Sequence, residues 1–390
     1  MTSPMLGRRA LLSRGALTAL AASSGAWGHG LALAATAPDD AVTYVGAAWR
    51  GPKATDTHYA GVLAADWGSK KLSIRYAVPL PTRPHGLVPL ADGGLLINGV
   101  RPGTWLMRCD GAGKVVRQVT LDKDADAVLF SGHTVPSADG KLLYSTEIDY
   151  RSGRGRIGVR DAATLRKEDE WDSGGIDPHQ VLLDGSGHVV VANGGLPRNL
   201  ADTKYDHHRM ESTLVRINVQ TGGIARQWRL DDPRLGMRHI AWSRAASGGA
   251  QPEPPRLGVS LQAEHDSPAR RAEAPILAVL ENNRLELPSR VNDGYGYSGD
   301  ITPAHSGGFV LSSNKAGLAQ LWQPGAPDKL STIVQLQEAY ALTHWTGPQP
   351  GGGVLVATAP GLVRWHPTAA PAFLVWPQPM ALDNHWVLMG

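Results

Sequence analysis

Apolar residues along this chain come in short runs closed by Gly, Asp, Asn or Pro, and the runs recur in one order. A histidine leads, an apolar run follows, a Gly-rich turn interrupts, and a second apolar run completes a hairpin. The unit starts at His85, His133, His179 and His239, the last resuming at Arg256 after a Pro- and Gly-rich insert, residues 245–255. Asp300 heads a fifth copy, Ala341 a weaker sixth, and His385 a seventh start near the C-terminal end. Short runs bounded by turn residues read as strands. After His133 two more candidates follow the hairpin strand Lys141–Glu147, at Arg156–Asp161 and Lys167–Ser173. Four strands per unit and starts 41 to 61 residues apart are the signature of a β-propeller blade. Seven starts predict seven blades. The seventh start lacks three strands, and residues 43–78 offer three without a start: Thr43–Trp49, Tyr59–Asp66 and Leu72–Val78. The chain is therefore expected to be all-β, a single seven-bladed propeller over residues 41–390. Its N-terminal strands would close the ring on the C-terminal strand His385–Met389, which removes two open strand edges.

Composition agrees with many turns. Gly (46) and Pro (28) are abundant, and hydrophobic residues at 42% supply a core. The lone Cys109 excludes an intramolecular disulfide framework and a cysteine-only metal cage. No dinucleotide fingerprint, phosphate loop, nucleophile elbow or haem-attachment motif stands in its required context.

Residues 1–34 read as an export signal: Arg8-Arg9, a weakly apolar run from Ala16 to Ala22, and small residues closing at Ala34. The paired arginines followed by Ala10, Leu11 and Leu12 resemble a twin-arginine signal, with an ordinary secretory signal as the alternative. Losing Arg8, Arg9 and Arg14 lowers the formal charge from +3 to zero, so the mature chain has no global basic field for nucleic acid. No further apolar run is long enough to span a bilayer. The expected location is the periplasm, and the expected state a monomer.

Equivalent positions in successive blades lie on one ring. His85, His133, His179, His239 and His385 should converge at one end of the channel, with Asp300 in the same tier. Imidazoles, often completed by a carboxylate, hold divalent transition metals such as iron, copper or zinc. The alternative is that each histidine caps its own blade through main-chain bonds. Other candidates are His207-His208 in the insert Leu196–Glu211, which is either a solvated loop or a lid over the channel mouth; Glu147, Asp149 and Tyr150, which follow the second hairpin and are candidates to face the channel from that end; and the cluster Glu264, His265 and Asp266 after the fourth hairpin, read as loop polarity.

Several segments occur in a shared order: Gly132-His133 through Gly140, Leu143 to Glu147 with Asp149-Tyr150, Gly153 to Val159, Gly175 to His179, Val191 to Gly195, Arg238-His239, and Asp383 to His385. In these the chain resembles the domain-of-unknown-function 1513 family, over most of residues 43–390. The stretch 245–255 and the sixth unit depart from the family pattern. The resemblance implies a propeller, an exported bacterial protein, and gene neighbours that include imelysin-like and di-haem peroxidase-like proteins in iron-uptake clusters. The function this suggests is an accessory role in iron or related metal acquisition, binding a metal or a metal-carrying ligand at the channel. A non-catalytic scaffold for pathway partners and a metal-dependent enzyme are the other readings.

Overall fold

Each repeat unit folds as a four-stranded antiparallel sheet, and there are seven of them. The computed structural model describes residues 42–244, 255–288, 293–348 and 351–389. The export signal and residues 245–254 of the insert lie outside the described residues.

The sheets are blades, and their innermost strands form a ring, each touching the next. In chain order these strands are Pro84–Pro89, Val128–Pro136, Pro178–Leu183, Leu235–Trp242, Asp300–Pro303, Leu342–Trp345 and Ala381–Leu388. The last completes the blade begun by Thr43–Arg50, His58–Asp66 and Lys71–Leu80, with Val45 opposite Leu388 and Ala47 opposite Trp386. Ring closure by N- and C-terminal strands is thus as expected. The closing strand starts four residues earlier than the sequence suggested, because Ala381 and Leu382 also pair with Arg50 and Trp49.

Strand composition explains the layering. Middle strands such as His188–Asn193 and Gly353–Ala357 are almost continuously apolar, because both faces meet neighbouring blades. Outer strands such as Lys167–Asp172 are charged and exposed. The core therefore lies between blades: Val189, Val191 and Val215 of one blade pack on Tyr144, Ile157 and Val159 of the one before. Inner strands have only one paired edge, and they tolerate Pro84, Pro136, Pro178 and Pro303 at their ends for that reason.

Candidate metal centre

Five inner strands contain a β-bulge, and each bulge holds one of the five predicted histidines. Pairing slips by one residue between Pro84 and Leu87, Pro178 and Val181, and Met237 and Ile240, with His85, His179 and His239 inside the slips. Two extra residues enter between Phe130 and Thr134 and between Leu382 and Trp386, around His133 and His385. The two inner strands that carry none of these five histidines, Asp300–Pro303 and Leu342–Trp345, pair without any slip. A bulge kinks the strand and re-aims a side chain. The histidines accordingly lie within the inner strands rather than ahead of them, which corrects the repeat reading that set a histidine before each unit's first apolar run.

Second-strand side chains take up main-chain groups that the bulges release. Ser260 Oγ accepts from the His239 amide at 2.9 Å, Thr146 Oγ1 from the His133 amide at 3.3 Å, and Asn98 Nδ2 donates to the Gly86 carbonyl at 3.2 Å. Gly132 has φ 110°, and a Cβ there would stand 2.5 Å from His85 Cδ2. Only glycine lets that bulge pass the imidazole.

The five rings converge. Nearest neighbours have centroids 4.5 to 4.9 Å apart, as in His179–His239, His239–His385, His85–His385 and His85–His133. One nitrogen from each of His85, His133, His239 and His385 lies within 4.8 Å of the other three, and all four residues are buried. Imidazole nitrogens about 2.0–2.1 Å from a shared ion stand roughly 3–4 Å apart, so a small contraction would let four of them share one. Both ring nitrogens of His85 and of His133 are buried without a hydrogen-bond partner. Neither ring caps its own blade, contrary to the alternative reading. Burial pushes all five imidazoles below the ordinary histidine value, His385 to about 4, and neighbouring charges add to the shift in four of them. At neutral pH they are uncharged, the form that coordinates metal.

His179 belongs to the tier but stands outside the group of four. Its Nδ1 is 2.7 Å from Arg101 Nη1, and its Nε2 is 2.8 Å from His239 Nε2. Asp300 also stands apart. Its carboxyl accepts the Ile301 and Leu342 amides, at 2.9 Å each, and lies 3.9 Å from His385 Nδ1. Burial pushes its pKa up to about 8.

A central channel with a cavity of about 390 Å³ leads to the tier, reaching His133, His385 and Asp300. Its walls are inner strands, each with an edge that no strand covers. Where the inner strands begin, the tier meets a charged network that the repeat pattern does not mark. Asp177 receives Arg238 Nη1 at 2.5 Å and Arg198 Nε at 3.1 Å, with Arg101 Nη1 3.6 Å away. Burial works to raise the Asp177 pKa, but these three guanidiniums outweigh it and hold the carboxyl well below its usual range. Asp177 and Arg238 each lie within two residues of a tier histidine in sequence. Arg101 comes from a turn of another blade and carries no such signal.

The insert Leu196–Glu211 is fastened over this side by Arg198 on Asp177 and Lys204 on Glu264, while His207 and His208 are not buried. Of the remaining candidates, His265 pairs with Asp232 at 2.8 Å, Asp266 with Arg234 at 3.0 Å and Asp149 with Ser152 Oγ at 2.7 Å, whereas the Tyr150 hydroxyl is buried without a hydrogen-bond partner. Glu147 is buried inside its blade with Arg160 and Lys167 and does not face the channel. Cys109 is buried, its thiol 3.6 Å from the Leu95 carbonyl.

The fold and the tier define a seven-bladed propeller with a buried polyhistidine centre at the inner end of its channel. The chain belongs to the family described as "Protein of unknown function (DUF1513)", whose sequence model matches residues 78–389. No curated protein sequence matches it. Among solved structures, Kuenenia stuttgartiensis hydrazine synthase is similar at 11% identity with a TM-score of 0.54, covering 84% of this chain and 94% of that one. A streptogramin B lyase is similar at 12% identity and a TM-score of 0.52, over 80% and 90% of the chains. A virginiamycin B lyase from Staphylococcus aureus gives 11% and 0.52, over 82% and 96%. At such identities the likeness carries the fold alone.

Proposed function

We propose that this protein binds one divalent transition metal on His85, His133, His239 and His385 and serves in the periplasm as an accessory of iron or related metal acquisition. The observation that carries the metal reading is the set of four partnerless ring nitrogens on His85 and His133, inside a group of four buried, uncharged imidazoles. A buried polar atom with no partner costs about 1–3 kcal/mol, and a metal ion would use a lone pair on each ring. All-imidazole donors suit iron, copper or zinc rather than calcium or magnesium. The twin-arginine-like start supports export, and the family resemblance supports the acquisition role and imelysin-like or di-haem peroxidase-like partners.

Elemental analysis of untagged protein purified from the periplasm tests this reading. About one equivalent of iron, copper or zinc is expected per chain, and none in a His85→Ala/His133→Ala variant. Metal-free protein that also takes up no added ion would leave the scaffold reading in its place.

A further inference from the structure

We propose that His179 is not a fifth ligand: its ring N–H masks the lone pair of His239 until metal arrives, and then donates to a small anion bound beside the metal. This rests on the metal reading above.

The argument is one of hydrogen-bond polarity. A guanidinium can only donate. Arg101 Nη1, 2.7 Å from His179 Nδ1, therefore requires a lone pair at that nitrogen. The neutral ring then carries its proton on Nε2, which points at His239 Nε2 across 2.8 Å. His239 Nε2 accepts, so its proton resides on Nδ1, a buried atom with no partner. The one lone pair of His239 is thus occupied by His179. Both ends of His179 are consumed, one by a cation that cannot be displaced by metal and one by a proton directed into the tier. Arg101 is itself held in place by Asp202, 3.3 Å from its Nε, and by Asp177.

Metal binding by His239 Nε2 must break the bond from His179. The freed N–H still faces the tier, because Arg101 fixes the other end of the ring. Charge makes an anion its natural partner. Four neutral imidazoles leave a divalent ion's charge uncompensated, and on the same side four cations, Arg101, Arg198, Arg238 and Lys204, face only three carboxylates, Asp177, Asp202 and Glu264. A small anion on the metal would accept from His179 Nε2 and lower the local charge.

The two roles predict opposite signs. A ligand histidine, once removed, weakens metal binding; a masking histidine, once removed, strengthens it. The experiment titrates chelator-stripped protein with Co²⁺ and then titrates the loaded protein with azide, following the cobalt absorption bands. His179→Phe should bind Co²⁺ about 2- to 10-fold more tightly at unchanged stoichiometry, the size of one net hydrogen bond. It should bind azide several-fold more weakly. His179→Gln, which keeps an N–H donor without an imidazole, should resemble wild type in both. If the Phe variant does not fold, Arg101→Gln, which frees the ring to reverse its tautomer, should also tighten Co²⁺ binding.

Tenfold weaker Co²⁺ binding by the Phe and Gln variants, with wild type binding well, would make His179 a ligand and sink the masking role while sparing the metal reading. Azide affinity unchanged in the Phe variant would remove the donor role. Wild-type protein that binds no Co²⁺ would overturn the metal reading itself, and this one with it.

Discussion

Two buried polar groups in this molecule are built on opposite terms. Inside the blade of strands Val128–Pro136 to Lys167–Asp172, Glu147 is fully buried and fully met. It takes Arg160 Nη2 at 2.7 Å, Lys167 Nζ at 2.7 Å and Ser145 Oγ at 2.8 Å, while Arg160 also reaches the Leu165 carbonyl and stacks over Phe130. In the histidine tier, His85 and His133 are also buried, yet their ring nitrogens have no hydrogen-bond partner. Buried ionisable groups survive when every member is satisfied. The first group is therefore complete within the protein, whereas the second, on the proposed metal reading, would be completed by an ion. Burial and titratable chemistry alone do not single out this site; unmet donors converging at one point do.

The strongest test of this contrast is to open the ring. Deleting residues 383–390 removes most of an innermost strand together with His385, and the protein should lose its cooperative melting transition. His385→Ala alone should melt close to wild type when both are metal-free. A folded truncation would refute the closure, and an unfolded point variant would make the tier structural like the Glu147 group.

Next in size, His85→Ala/His133→Ala should abolish Co²⁺ binding while the metal-free melting temperature stays within a few degrees of wild type, since neither ring makes a hydrogen bond to lose. Glu147→Ala should do the reverse. It strands Arg160 in the blade and should cost about 3–5 kcal/mol in chemical denaturation, the usual effect of breaking a buried pair, with metal stoichiometry intact. A Glu147 variant that lost metal but kept stability would collapse the distinction.

The smallest effect separates the groups by pH. The tier imidazoles are held below 6.5 in the fold, so between about pH 6.5 and 4 the unfolded chain binds more protons than the native one, and stability of the metal-free protein falls as pH falls. Each such group contributes at most about 1.4 kcal/mol per pH unit. Burial would raise the Glu147 pKa, but Arg160 and Lys167 hold it below 4.5. Its contribution is present above that value and is lost only as pH falls further. Urea denaturation across pH should show the higher window vanish in the double-histidine variant and the lower one weaken in the Glu147 variant. A higher window unchanged in the double variant would mean that other groups set it.

Much of this was legible in the sequence. The repeat starting at His85 carries the blade count, because each hairpin's turn chemistry is local. The closing strand could be found because the N-terminal blade lacks one strand and the C-terminal start lacks three. Convergence of the five histidines follows from their shared position in the repeat. The bulges were not legible: one or two extra residues in an inner strand leave no compositional trace beside a His. The Arg101–His179 bond was equally hidden, since its partners are 78 residues apart and meet only through tertiary packing. Glu147 looked like a channel residue because its partners Arg160 and Lys167 arrive from the next two strands.

The strand Ala381–Leu388 has a consequence in the order of synthesis. Among the described strands it is the last in chain order, and it brings His385 to the group. A growing chain thus holds three of the four donors once His239 has been made and gains the fourth only as the ring shuts. Imidazole sites rank competing ions by availability as much as by affinity. If the tier takes the ion proposed above, the compartment in which that strand docks decides which ion first meets the finished centre.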